Sequence, residues 1–397
     1  MFMRRCHLSV TLLMALSSCW ITEGFASNAS LSAQGIPVGL IPDHASLSRF
    51  PSSALDLDPG IMGDMEAGSR QLYSVLYRWG KTRLALDWGR DPDRLDGHTD
   101  AVQCLMAIPW GSIRLGAVVG GWVRHDDSEN HDTYQETLND ADRNHQRAGL
   151  GVGIPLGGRS HLELALHLTV NRSEARNEYW RREYNAWEIG DWELNSLLVE
   201  SANSCMSHRS EVRVKIDAGD DADIWALLSY DVAALSRDVT YETQSAVQKL
   251  EDVRNKSQSF GAVLAVERSG FHASVITIGL SVHYQDDLHS IVRTSAGLSF
   301  DTQRDYRTRV ASFAGLGLRL HRRFHLYAGV QGGFDRTISE RGWGNDTRST
   351  AQDRYYLYDA MSAGFGCRFR TFRLDAQVNN DLTMEDPFAL VSLSYSF

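Results

Sequence analysis

Phe388-Ala389-Leu390-Val391-Ser392-Leu393-Ser394-Tyr395-Ser396-Phe397 closes the chain. Successive side chains of a strand point to opposite faces, so residues two apart share a side. Read that way, Ala389, Val391, Leu393, Tyr395 and Phe397 form an apolar face ending in two aromatics. Leu390, Ser392, Ser394 and Ser396 form a face that is mostly small and polar. Such a strand answers to two different surroundings at once.

The same alternation recurs upstream. Leu162, Leu164, Leu166, Leu168 and Val170 oppose His161, Glu163, Ala165, His167 and Thr169. Val212, Val214 and Ile216 oppose Glu211, Arg213 and Lys215. Ile276, Ile278, Leu280, Val282 and Tyr284 form another apolar row, as do Ala314, Leu316, Leu318 and Leu320. Phe372, Leu374, Ala376 and Val378 oppose Arg373, Asp375, Gln377 and Asn379. In a soluble sandwich the apolar face is the core; in a membrane barrel it meets lipid. Periodicity alone does not separate the two. Strand length helps, because several runs exceed the roughly five or six residues usual in soluble sheets.

The connections decide. Tight turns are expected at Trp110-Gly111, Ala218 to Ala222, Gly157-Gly158, Arg268-Ser269-Gly270, His321-Arg322-Arg323 and Arg370-Thr371. Between the resulting pairs lie long polar segments: 125–144, 172–207, 236–256, 285–306 and 337–354. Short turns on one side and long loops on the other resemble bacterial outer-membrane β-barrels, whose turns are periplasmic and loops extracellular. The expected fold is therefore all-β: residues 69–397 form a single transmembrane antiparallel β-barrel of about 14 strands, within a range of about 12–16. Residues 83–90 are expected as the first full span, with 71–79 leading into it; an extra strand within 57–68 would make about sixteen. Residues 290–300 also alternate and are assigned to an extracellular extension. The resemblance to outer-membrane barrels implies a lipid bilayer and the barrel assembly machinery as partners, with Tyr395 and Phe397 in the assembly signal.

The N-terminus reads as an export signal over residues 1–26. Arg4 and Arg5 precede the apolar run Leu8 to Leu16, and small-residue sites follow at Gly24-Phe25-Ala26 and Ser27-Asn28-Ala29. Leu16-Ser17-Ser18-Cys19 competes as a lipoprotein box that would acylate Cys19. Removal of residues 1–26 takes away Arg4, Arg5 and Glu23 and moves the formal charge from −10 to −11. An acidic chain without a basic stripe argues against nucleic acid. Five cysteines include Cys6 and Cys19 in the leader; Cys104, Cys205 and Cys367 are an odd, widely spaced remainder that indicates neither disulfides nor a zinc site. Residues 27–68 carry Pro37, Pro42, Pro51 and Pro59, which exclude a regular spanning strand through most of the segment. A luminal plug and a periplasmic tail are both open for it.

Candidate site residues fall into three groups. Tyr179, Trp180, Tyr184, Trp187 and Trp192 place five large aromatics in one extracellular segment, where they supply contact area for an apolar ligand or pack the segment on itself. Arg213, Lys215, Arg319, Arg368, Arg370 and Arg373 are inward-facing or near the periplasmic turns. They either anchor at the membrane edge or form an anion-attracting constriction. His125-Asp126-Asp127 with His131-Asp132 reads as a solvated acidic loop; no serine has a convincing nucleophile signature, so no catalytic residue, metal or cofactor is assigned. Val247, Leu250 and Val253 stand at helical spacing and suggest a short surface helix.

Ser52 to Gly60, Ile108 to Gly116 and Gly149 to Leu156 are similar to the long-chain fatty-acid transporter (FadL-like) family. The resemblance implies a luminal hatch, with Asp58-Pro59-Gly60 standing where that family carries Asn-Pro-Ala, and passage of hydrophobic compounds through the wall. The expected function is an outer-membrane channel or transporter for hydrophobic small molecules such as long-chain fatty acids. An open diffusion porin for small hydrophilic solutes is the alternative, as is an adhesion or scaffold barrel that binds partners through its extracellular loops.

Overall fold

The computed structural model describes residues 34, 36–37, 39–42, 46–66, 71–91, 99–131, 135–185, 188–219, 221–243, 246–270, 274–293, 299–343, 346–381 and 388–396. The leader 1–26 with Cys19, Trp187 and Phe397 lie outside them. Four short strands come first: β1 (Gly60–Glu66), β2 (Gln71–Trp79), β3 (Thr82–Asp91) and β4 (Thr99–Trp110). Next come β5 (Ile113–His131), β6 (Gln135–Gly157), β7 (Ser160–Asn185) and β8 (Glu188–Gly219). They are followed by β9 (Ala222–Thr243), β10 (Ala246–Ser269), β11 (Ser274–Arg293) and β12 (Ser299–His321). The chain ends with β13 (Phe324–Trp343), β14 (Asp346–Phe369), β15 (Phe372–Asp381) and β16 (Phe388–Ser396). Each strand pairs antiparallel with its sequence neighbours, and β1 pairs with β16, closing the ring.

The apolar rows face outward. Leu164, Leu166 and Leu168 of β7 are exposed, while Glu163, Ala165 and His167 between them are buried. Ile276, Ile278, Leu280, Val282 and Tyr284 of β11 are likewise exposed, against buried Thr277. Trp79, Trp110, Phe324 and Phe369 stand on the outside at the turn end of the apolar band; Trp88, Tyr230, Phe260 and Tyr284 bound its other edge. An apolar band between two aromatic girdles is the exterior of a transmembrane barrel. Cys104 and Cys367 lie on this outer face as free thiols.

The ring has sixteen strands rather than about fourteen. The fourteen expected correspond to β3 through β16. β1 begins at Gly60, directly after the last proline of the N-terminal segment, where proline no longer removes a ladder hydrogen bond. β2, expected only to lead in, pairs with β1 on one side and β3 on the other. The alternation in β1 is short and mixed, Ile61 and Met65 outward with Met62 and Asp64 inward, so it carries little periodic signal.

The long polar segments expected as extracellular loops are, where described, largely strand. Residues 172–185 and 188–207 belong to β7 and β8, which run 26 and 32 residues. The other long segments likewise continue the flanking strands beyond the apolar band. Out of lipid both faces are wet, so the period of two disappears from the composition although the ladder persists. Cross-strand charge pairs take over: Arg304 of β12 meets Asp286 of β11 at 2.7 Å, and Arg336 of β13 meets Asp353 of β14 at 2.8 Å. The helix expected around Val247, Leu250 and Val253 is a hairpin of β9 and β10. A bulge between Lys249 and Glu251 inserts Leu250, and that extra residue produces the helix-like spacing.

Candidate functional site

The inward faces of the strands enclose the described residues of the N-terminal segment between Gln34 and Asp58. Among the described residues it forms a 3-10 helix, Pro51–Leu55, packed against β3, β4, β5 and β6. Gly116 of β5 and Gly151 of β6 face Pro51 and Ser52, and a side chain at Gly116 would overlap their backbone. Across the ring, Gly315 of β12 meets Gln34 in the same way. Glycine on the inner wall therefore makes the room in which this segment lies.

Two apolar clusters fill the space between segment and wall. Ile36, Leu40 and Phe50 pack with Ala165, Trp225, Leu227, Ala265 and Phe313. Leu47, Ala54 and Leu57 pack with Leu76, Ala85, Leu105, Ala107 and Val118. Each large side chain buried this way contributes roughly 1.5–3 kcal/mol to holding the segment. The lumen thus has its own dry core, separate from the lipid-facing exterior.

Charged groups thread between the clusters. Arg213, fully buried, donates from Nε to Glu163 Oε2 at 2.7 Å and from Nη1 to the Gly39 carbonyl at 3.0 Å. It also donates to Ser53 Oγ, and its guanidinium lies 4.2 Å from the centre of the Phe50 ring. Ser53 donates in turn to Glu163 Oε1 at 2.8 Å. Arg49 of the segment pairs with buried Glu211. Its carbonyl lies 2.8 Å from His167 Nε2, and Arg147 donates to the Ser48 carbonyl at 3.0 Å. Arg114 pairs with Asp56. A buried charge is tolerable only when paired and hydrogen-bonded, and Arg213 meets that condition through Glu163 of the wall together with Ser53 and the Gly39 carbonyl of the segment.

Lys215 sits nearer the turn end, 2.9 Å from Asp223 and 5.0 Å from the centre of the Trp225 ring. Arg373 Nε lies 2.7 Å from Asp375, and its Nη2 donates to Tyr327 at 2.8 Å. Arg368 is the register partner of Arg373 on the inner wall of β14. Arg319 is exposed at the turn end of β12, and Arg370 occupies a turn with φ of 51°. These four arginines share the turn end, and Arg373 is paired with Asp375. Asp58, Pro59 and Gly60 sit at the junction where the segment becomes β1, with Gly60 between Ser396 and Leu76. Tyr179, Trp180 and Tyr184 fall in β7 and Trp192 in β8, far along the tall hairpin; Trp180 pairs with Leu194 and Trp192 with Arg182. They are thus remote from the luminal segment in the ladder. Tyr395 is on the outer face of β16 opposite Ile61.

Glu163, His167, Arg147 and Arg49 were not singled out from sequence, although ionisable residues inside an alternating apolar strand, as in Leu162 to Val170, are a usable signal. Their partners in 39–56 have no local pattern that reveals them.

No protein-family model matches this sequence, and no curated protein does. Among solved structures, the CymD monoaromatic hydrocarbon channel is 10% identical, with a TM-score of 0.46 over 94% of this chain and 99% of that one. The Pseudomonas putida toluene transporter TodX is 10% identical with a TM-score of 0.46, covering 96% and 100%. The translocator domain of the autotransporter NalP from Neisseria meningitidis is 13% identical with a TM-score of 0.32, covering 73% and 90%.

Proposed function

We propose that this chain is a bacterial outer-membrane channel for uptake of hydrophobic small molecules, exported by its leader, with residues 34–58 as a luminal plug. The observation that carries the proposal is the filled lumen: a peptide segment fixed by two apolar clusters and by the buried pairs of Arg213 and Arg49. Such packing denies a continuous water path to hydrated solutes. The wall against which the segment packs is apolar and aromatic, through the buried Trp225, Leu227 and Phe313, and displacement of the segment would bare it to an apolar cargo. Long-chain fatty acids are one such cargo. The aromatic segment with Tyr179, Trp180, Tyr184, Trp187 and Trp192 is proposed as the capture surface at the far mouth. Reconstituted in planar bilayers, the intact chain is expected to be nearly silent and a deletion of 34–58 to conduct steadily. A large steady current from the intact chain would overturn the reading in favour of an open porin.

A further inference from the structure

Beside the turn between β14 and β15 the inner wall holds a recess lined by Arg368, Thr371, Phe372, Arg373, Ser394 and Ser396. The ladders bring these residues together. Arg368 of β14 is the direct partner of Arg373 of β15, and Arg373 is the direct partner of Ser394 of β16. The Ser396 N–H donates to the Thr371 carbonyl at 2.9 Å, which ties the end of β16 to the turn. The recess holds about 20 Å3, room for one water-sized group such as a single anion oxygen.

Every polar side chain around this space is able to donate a hydrogen bond. Ser394 and Ser396 are 5% and 7% exposed, and neither hydroxyl has a hydrogen-bond partner among the described residues. Asp375 and Tyr327 hold Arg373 through Nε and Nη2, which fixes its guanidinium at the edge of the recess. Like charges directly opposite one another on a ladder repel, so the Arg368–Arg373 pair favours an anion between its two members. The nearest inward carboxylates, Asp375 and Asp64, flank Ser392 one inner position deeper. Arg319 and Arg370 add positive charge at the turn end, so the wall becomes more basic towards its rim.

We propose that this recess is an oxyanion site, which takes one oxygen of a carboxylate or phosphate between Arg368 and Arg373 with Ser394 and Ser396 donating to it. Guanidinium and hydroxyl donors to an oxyanion are charge-assisted, roughly twice as strong as neutral hydrogen bonds. Two sources share this chemistry: the carboxylate head of an amphiphile at the turn end of the lumen, and free inorganic phosphate. The inference goes beyond apolar uptake and stands independently of it.

Isothermal titration of the full-length barrel in detergent at low salt tests this with three probes: hexanoate, 1-hexanol and inorganic phosphate. Hexanoate is expected to bind about tenfold or more tightly than 1-hexanol, the worth of one hydrogen bond to a charged group. Arg368→Gln and Ser394→Ala should each weaken anion binding about tenfold and leave 1-hexanol unchanged. Arg322→Gln, on the neighbouring turn, should keep anion binding within about twofold, because a solvated charge outside the recess is screened. Heat-modifiable gel migration reports that the variants remain folded. Phosphate that competes with hexanoate supports a site open to free oxyanions, and hexanoate binding without phosphate supports an amphiphile head as the source. Neither anion binding more tightly than 1-hexanol, or equal losses in Arg322→Gln and Arg368→Gln, overturns the site. The uptake reading is judged separately by bilayer conductance and survives that result.

Discussion

Arg213 of β8 and Glu163 of β7 are direct cross-strand partners, joined at 2.7 Å, and neither side chain reaches solvent. The pair is completed by Ser53 and the Gly39 carbonyl from the N-terminal segment, so wall and segment satisfy one another. Arg213→Met strands Glu163 and should cost about 3–5 kcal/mol, whereas the Arg213→Met/Glu163→Leu double variant should lose much less. Protease sensitivity within residues 34–58 and urea midpoints in vesicles measure both. A double variant as damaged as the single would mean that the pair is not the coupling.

Gly116 faces the backbone of Pro51 and Ser52 at a distance no side chain tolerates. Gly116→Val is expected to displace the 3-10 helix and raise single-channel conductance towards that of the 34–58 deletion. The barrel itself should still migrate as a folded species, because β5 keeps its ladder. Unchanged conductance in a folded variant argues against the segment as the barrier.

Leu166 projects from the middle of β7 and is 53% exposed, while its neighbours Ala165 and His167 are buried. Leu166→Arg should destabilise the barrel in lipid by about 2–4 kcal/mol, as expected for a cation near the bilayer midplane. A water-facing position would tolerate the change within about 0.5 kcal/mol. Urea unfolding from phospholipid vesicles separates the two, and a neutral result would reverse the inside and outside of the barrel.

Asp217, beside the turn between β8 and β9, receives both donors of Arg159 at 3.0 and 3.1 Å. The guanidinium, then the Gly219 N–H, hold its carboxyl down to about 2, from 3.8. A depressed carboxylate stabilises the fold above its unfolded value and loses that contribution as pH falls through the folded one. The stability difference between wild type and Asp217→Asn should therefore be complete at neutral pH, small because the pair is exposed, and shrink between pH of about 4 and 2. Acid titration of the urea midpoint checks it; a difference that grows in acid would contradict the assignment.

The class of fold was legible because lipid imposes a strict demand: every spanning strand must show hydrocarbon one face. Leu162 to Val170 and Ile276 to Tyr284 obey it without exception, and the tight turns at Gly157-Gly158 and Arg370-Thr371 stand where the pattern requires. Legibility ends where that demand ends. β1 is seven residues long, and Met62 and Asp64 sit together on its buried inner side, so the rhythm is blurred. Beyond the apolar band, β7 and β8 persist through cross-strand pairing, which leaves no periodic trace. The luminal contacts were the least readable. Arg213 was visible as an inward charge, but Gly39, Phe50 and Ser53 lie more than 150 residues earlier and carry no signature of their destination.

The β1–β16 join has only seven rungs, whereas opposite it stand β8 and β9, strands of 32 and 22 residues. No peptide bond crosses that join, so it is the place where the cylinder tears when its two ends are pulled. The inner filler runs through Asp58 and Pro59 straight into the flap that peels away. Force applied there drags the stopper out with the torn edge, and a single-molecule trace should register both losses in one step.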